Sequence, residues 1–180
     1  MNSEESVRGS VEGVRPKRLN EEIRDFIWSN RVPNPLNITL TQRQTFNGLR
    51  IDDASSEQNF KHFKNILNIK VFGNAYRRFG KELRMLVVRE VSVGQRHHLH
   101  CVIEHPIHRY EFKDFKTLVA QSWGSTNFGS HPIFGNQQIH IVKPTNDSQI
   151  DGWLSYLLKD RTKESLDSSV DWMNTNIRPI

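Results

Sequence analysis

The chain of 180 residues contains a single cysteine, Cys101. It therefore has no intramolecular disulfide framework and no cysteine-rich zinc site, and a reducing compartment suits it. No apolar run approaches the ~18–20 residues needed to span a membrane, so no membrane partner is expected. The first twenty residues, MNSEESVRGSVEGVRPKRLN, lack the apolar core of a secretory signal, which points to an intracellular protein. There is no internal repeat. There is also no Gly-x4-Gly-Lys-Ser/Thr phosphate-binding loop. The segment Gly73 to Glu82 comes nearest, but six residues separate its glycines and Glu82 stands where the hydroxyl belongs.

Only 36% of the residues are hydrophobic, but they fall in clusters, as expected of one folded domain with polar ends. Residues 1–19 read as a disordered basic tail and 20–165 as the domain. Residues 166–180 read as a C-terminal tail or short helix in which Trp172 folds back. The 25 Lys and Arg against 20 Asp and Glu permit a polyanionic partner. A capped helix follows Asn20 and is ended by Pro33 and Pro35. Leu36, Ile38 and Leu40 alternate with polar residues, the pattern of a half-buried strand. Asn47-Gly48 signals a turn. A helix capped by Ser55 or Ser56 carries Phe60, Phe63, Ile66, Leu67 and Val71. Strands are expected over 83–91 and 97–103, joined by a turn at Gly94. A helix over 110–123, a loop over 124–136 and a strand over 138–142 follow. The last strong pattern is a helix capped by Asp147 or Ser148 and bearing Trp153, Leu154, Leu157 and Leu158. The class is α+β with a mainly antiparallel sheet.

Three stretches carry chemistry. In Arg96-His97-His98-Leu99-His100, the histidines at 98 and 100 point to one face of a strand, and His97 to the other. Glu90 lies on the preceding strand of the same hairpin. If the register sum is even, Glu90 shares their face, and two imidazoles and a carboxylate converge as an open site for a divalent metal, Mg²⁺ or Mn²⁺. An isolated His-x-His is also the pattern of an exposed polar sheet face; the carboxylate in an otherwise apolar hairpin tips the balance. The second stretch is Tyr156-Leu157-Leu158-Lys159, where helical spacing sets Tyr156 and Lys159 on one face. A tyrosine beside cations can act as a covalent nucleophile, although a lone one is usually a core-edge residue. The third is Ile38-Thr39-Leu40-Thr41-Gln42-Arg43, whose polar residues can contact DNA beside a metal site. Arg43, Arg50, Arg77, Arg78 and Arg96 are further candidates for phosphate contact.

The three stretches, in this order and spacing, resemble the HUH endonucleases, and within them the single-tyrosine rolling-circle replication initiators (Rep). His98-Leu99-His100 is similar to their His-hydrophobe-His motif. Glu90 lies where Rep proteins of small circular DNA viruses carry a metal-binding glutamate. Tyr156-Leu157-Leu158-Lys159 is similar to the Tyr-x-x-Lys motif, and Asp160 also fits. Ile38-Thr39-Leu40-Thr41 resembles the first Rep motif less closely, with Ile38 where an aromatic is usual. Asp160 stands where small transposases of the superfamily carry Gln, which leans the resemblance toward Rep. It implies a central antiparallel sheet of about five strands, of the ferredoxin or RNA-recognition type, flanked by helices. It implies metal-dependent nicking and rejoining of single-stranded DNA at an origin hairpin or loop. Glu90, His98 and His100 would hold the metal, Tyr156 would form a 5′-phosphotyrosine bond, and Lys159 would steady the phosphate. Thr39, Thr41, Arg43 and Arg96 would touch DNA. A host replication helicase or polymerase is an expected partner. Localisation would be cytoplasmic for a plasmid-borne protein and nuclear for one from a eukaryotic virus. With no phosphate-binding loop, the chain reads as a stand-alone nuclease or the first domain of a longer initiator. The competing readings are a non-catalytic single-strand-binding module on a similar sheet and the nuclease of a transposable element.

Overall fold

A computed structural model describes residues 16–92, 96–129, 139–159 and 165–178. In chain order these form α1 (Pro16–Ser29), β1 (Pro35–Thr41), the two-residue strands β2 (Thr45–Phe46) and β3 (Leu49–Arg50), α2 (Asp53–Phe72) and α3 (Asn74–Phe79). There follow β4 (Met85–Ser92), β5 (Arg96–Glu104), α4 (Phe112–Gly124), β6 (Ile139–Val142), α5 (Asp147–Leu157) and α6 (Leu166–Ser169). The fold is mixed α+β, with a multi-stranded antiparallel sheet flanked by helices. Helix α1 takes in residues 16–19, which composition alone assigned to the tail.

The main sheet has four strands in the order β4-β5-β1-β6, and each neighbouring pair is antiparallel. The expected count was about five. At the free edge of β4, the chain after α6 takes the place of another strand. Val170 bridges Val88. The backbone N–H groups of Asp171 and Asn176 donate to the carbonyls of Val87 and Met85, both at 2.9 Å. Side chains answer in return. Met85 N–H donates to Asn176 Oδ1 at 2.7 Å and Val87 N–H to Thr175 Oγ1 at 3.1 Å. The edge is thus satisfied without a regular ladder, which also blocks edge-to-edge association.

Because strand side chains alternate, the sheet has two different faces. One carries Leu36, Ile38, Leu40, Met85, Val87, Leu99, Cys101 and Ile103 against α2 and α4, which contribute Phe60, Phe63, Phe115 and Trp123. Cys101 is fully buried there, and loss of solvation pushes its thiol well above the ordinary range, so it is an inert core residue. The other face carries Leu86, Val88 and Val102 against α1, α5, α6 and the C-terminal segment.

Local signals explain most element ends. Asn47 and Gly48 both have positive φ (49° and 79°), as a two-residue hairpin turn between β2 and β3 requires. Helix α2 starts a little earlier than Ser55 or Ser56: Asp52 is the cap, and its carboxylate accepts from Ser55 N–H at 2.7 Å. Asn146 likewise caps α5 in place of Asp147 or Ser148, accepting from Gln149 N–H at 3.0 Å. Trp172 does fold back: its ring lies 6.3 Å from Phe26 and its Nε1–H donates to Asp167. The loop expected over 124–136 and the turn at Gly94 fall partly or wholly outside the described residues. No described helix is long and apolar enough to cross a membrane.

Candidate active site

The β4–β5 register sets Glu90 directly opposite His98 and Val88 opposite His100. The β1–β5 register sets Thr41 opposite His98 and Thr39 opposite His100. Directly paired residues share a face, so Glu90, His98, His100, Thr39 and Thr41 form one polar group on the α1/α5 side. A slip of one residue would have sent both histidines into the aromatic core on the other side.

Hydrogen bonds order this group. His100, almost wholly buried, has its Nε2 2.8 Å from Glu90 Oε2. An ionised carboxylate only accepts, so Nε2 carries the proton in this pairing. On the far side of the ring, Thr39 Oγ1 lies 3.2 Å from His100 Nδ1. Thr41 Oγ1 stands in the same relation to His98 Nδ1, at 3.3 Å. The two threonine hydroxyls thus lie against the imidazoles. There they hold both rings by Nδ1, and His100 Nε2 is left to meet Glu90.

Helix α5 brings the second motif to the same place. It ends at Leu157, before Lys159, where a longer helix was expected. Lys159 nonetheless folds back over Tyr156, with Nζ 4.0 Å from the ring centroid and 3.7 Å from Glu90 Oε1. The Tyr156 ring meets His100 edge-on at 5.4 Å. Tyr156 is 41% exposed, and its phenolic oxygen has no hydrogen-bond partner among the described residues. Leu154, Leu157 and Leu158 are buried below and fix the helix to the sheet.

Sequence reasoning missed Trp153 as part of this site, reading it only as a helix residue. Its ring stacks on Tyr156 (5.5 Å, 24°) and meets His100 at 5.7 Å. The i, i+3 spacing of two aromatics was the available signal. His140 on β6 was also missed; it pairs with Thr39 and so shares the face of His100. The other histidines disperse. His97 faces the opposite side, with Nδ1 3.9 Å from Asp53. His105 is buried against Phe115, and His108 is on the surface.

Among the described residues, no group of three or more His, Cys, Asp or Glu is gathered closely enough to hold a metal ion. The chemistry of the donor set still fits one in part. Two ligand atoms each about 2.1 Å from one cation at a right angle lie about 3.0 Å apart. The 2.8 Å between His100 Nε2 and Glu90 Oε2 is close to that, with a proton now between them. His98, one pleat away on the same face, is the third donor of suitable type.

The arginines divide by location. Arg43 is exposed just beyond β1, its backbone N–H held by Phe128 O at 2.8 Å. Arg50 is exposed on β3. Arg96 pairs with Ser92 in the ladder, but its side chain lies outside the described groups, as does all of Asp160. Arg77 and Arg78 lie on α3, which leads into the Met85 end of β4, and so are not brought to the site. Comparison with family models, curated proteins and solved structures finds no match for this chain.

Proposed function

We propose that the protein is a single-tyrosine nuclease of the HUH type that nicks and rejoins single-stranded DNA, as a rolling-circle initiator does. One observation carries this reading. Lys159 ties the Tyr156 motif to the Glu90–His100 pair, joining groups from α5 and the hairpin into one cluster. The order of the chain, β-α-β-β-α-β with the sheet order β4-β5-β1-β6, supports a ferredoxin-type sheet beneath it.

Glu90, His98 and His100 would hold a divalent cation, Mg²⁺ or Mn²⁺, whose charge, when bound, polarises the scissile phosphate. Tyr156 Oη attacks phosphorus, and its proton passes to solvent. The bond from phosphorus to the 3′ oxygen breaks, and that oxygen takes up a proton and leaves as a 3′-hydroxyl. The 5′ phosphate stays on Tyr156. Rejoining is the reverse, so the phosphodiester energy is conserved. Lys159 faces the phosphate charge as it builds, and Trp153 limits the swing of the Tyr156 ring. Thr39 and Thr41 keep the imidazoles in register with Glu90.

The test is incubation with a pool of single-stranded oligonucleotides containing hairpin loops, with Mn²⁺ or with EDTA, followed by a denaturing gel. The expected result is a metal-dependent covalent protein–DNA band. Metal-independent retention of DNA with no covalent band would overturn the nuclease reading in favour of a binding module.

A further inference from the structure

A second surface stands apart from the site, on the other face of the sheet and at its other end. Helix α3 packs on α2, held by a hydrogen bond from Tyr76 Oη to Asn65. It leads into Met85, five strand residues from Glu90, about 17 Å along β4. Phe79 is 82% exposed there. Arg77 and Arg78, immediately before it, are exposed too. Two residues beyond Phe79, Lys81 lines a cleft of about 520 Å³ together with Phe72, Glu82, Glu104, His108 and Arg109. Lys81 Nζ and Arg109 Cζ lie over the Phe72 ring, at 5.5 and 5.6 Å from its centroid.

The acidic groups at this cleft are engaged elsewhere. Glu82 pairs with Lys64 (3.1 Å) and Arg178 (3.9 Å), and Glu104 accepts from Arg84 N–H at 3.0 Å. Among the described residues, no carboxylate lies within ion-pair distance of Arg77, Arg78, Lys81 or Arg109. The helix dipole accounts for arginines in the last turn of α3. It does not account for a bare aromatic ring next to them, nor for Lys81 and Arg109 laid over Phe72.

We propose that this surface binds single-stranded nucleic acid. Arg77, Arg78, Lys81 and Arg109 contact phosphates, and the Phe79 ring stacks on an unpaired base. The pairing of open cations with an exposed flat ring matches a polyanion that also carries flat apolar groups. An acidic peptide would use the charges and leave the ring unused. The surface does not depend on the chemistry proposed for Tyr156.

The experiment uses the full chain in EDTA with a fluorescein-labelled dT20, measured by anisotropy across a salt series. The Arg77→Ala/Arg78→Ala double variant is expected to lower the slope of log K against log salt by about 1.4, at roughly 0.7 per phosphate contact. Phe79→Ala is expected to weaken binding roughly 5- to 100-fold, and Phe79→Trp to retain it. In parallel, photocross-linking of a 5-iododeoxyuridine 20-mer is expected to label the peptide carrying Phe79. The side chains changed are exposed, so the variants keep the fold, which circular dichroism checks. Unchanged affinity and salt slope, or no adduct on that peptide, overturns the proposal. So does loss of sedimentation with phosphatidylserine vesicles while dT20 binding stays intact. Absence of a covalent Tyr156 product leaves these readouts untouched, so the two proposals fail separately.

Discussion

The two faces of the sheet are made by alternate residues of the same strands, yet they do different work. The face toward α2 and α4 carries a continuous apolar core from Met85 and Ile103 to Leu40 and Leu99, with Arg89 and His97 at its far end reaching toward Glu57 and Asp53 of α2. Its aromatic side chains meet edge to face, Phe60 on Phe63 at 5.3 Å and Phe63 on Trp123 at 5.5 Å. The face toward α1 and α5 changes character along its length. Leu86, Val88 and Val102 are packed by the helices, and then Glu90, His98 and His100 replace them. The comparison teaches that a face with a full apolar core on its reverse and a second core along half its own length has room for polar groups at the other end. It also explains why those polar groups are ordered: the rigid strands beneath fix their spacing to within the pleat.

The sharpest break in the comparison is expected at Tyr156. Tyr156→Phe removes one exposed hydroxyl with no partner among the described residues, so covalent product should vanish on a denaturing gel while the melting temperature stays within about 2 °C. A normal covalent yield would identify another nucleophile. On the opposite face, Phe63→Ala should cost about 3–5 kcal/mol in urea denaturation, because it opens a void between Phe60 and Trp123. A loss below 1 kcal/mol would mean that this face is not the foundation described here.

Thr39→Val tests whether the polar end is tuned rather than merely tolerated. It keeps the shape but removes the hydroxyl 3.2 Å from His100 Nδ1. The Mn²⁺ concentration for half-maximal cleavage should rise about 10- to 100-fold with little change in stability. An unchanged metal titration would leave the threonine without a role at the site.

The smallest effect concerns Asp171, at the edge of β4. Burial raises its carboxyl above the ordinary 3.8, although hydrogen bonds from Asn174 and the charge of Arg89 oppose this. A carboxyl raised by folding holds its proton more tightly when folded. Stability from this group is therefore greatest below 3.8 and falls as pH rises through the raised value. Asp171→Asn should lack that decline. The difference in stability between wild type and variant, followed by urea denaturation across acid pH, should shift against the wild type as pH rises. A constant difference would show that the group does not titrate differently on folding.

Much of this was legible in the residues. Alternation at Leu36, Ile38 and Leu40 marked β1, and Phe60, Phe63 and Leu67 marked the buried side of α2. Helix caps were misjudged by one to four residues because Asp, Asn and Ser cluster at both starts, and geometry chooses among them. The C-terminal segment read as a polar tail or short helix with Trp172 folding back, in agreement with its ring contact to Phe26, but not as a partner of the sheet edge. Its Asn176 and Thr175 side chains act as substitutes for a strand's backbone, a use that composition does not mark. The threonines were placed on the correct strand; that they reach His100 and His98 was not legible, because nothing local shows which strand will lie beside them.

By itself, the sequence determined the order of the long elements (though not the short helix α3), the parity of residues within each strand, and the three-residue step from Tyr156 to Lys159. Those follow from short-range periodicity and turn chemistry, which act within a few residues. Only the tertiary structure decided that Glu90 sits opposite His98 and that Thr39 reaches His100. It also decided that Lys159, already past the end of α5, lands on Glu90. Register and helix docking are set by how both faces pack at once, through contacts that run at the site from 8 positions apart (Glu90 and His98) to 69 (Glu90 and Lys159). Each face has to satisfy its own neighbours before the strands settle into one alignment.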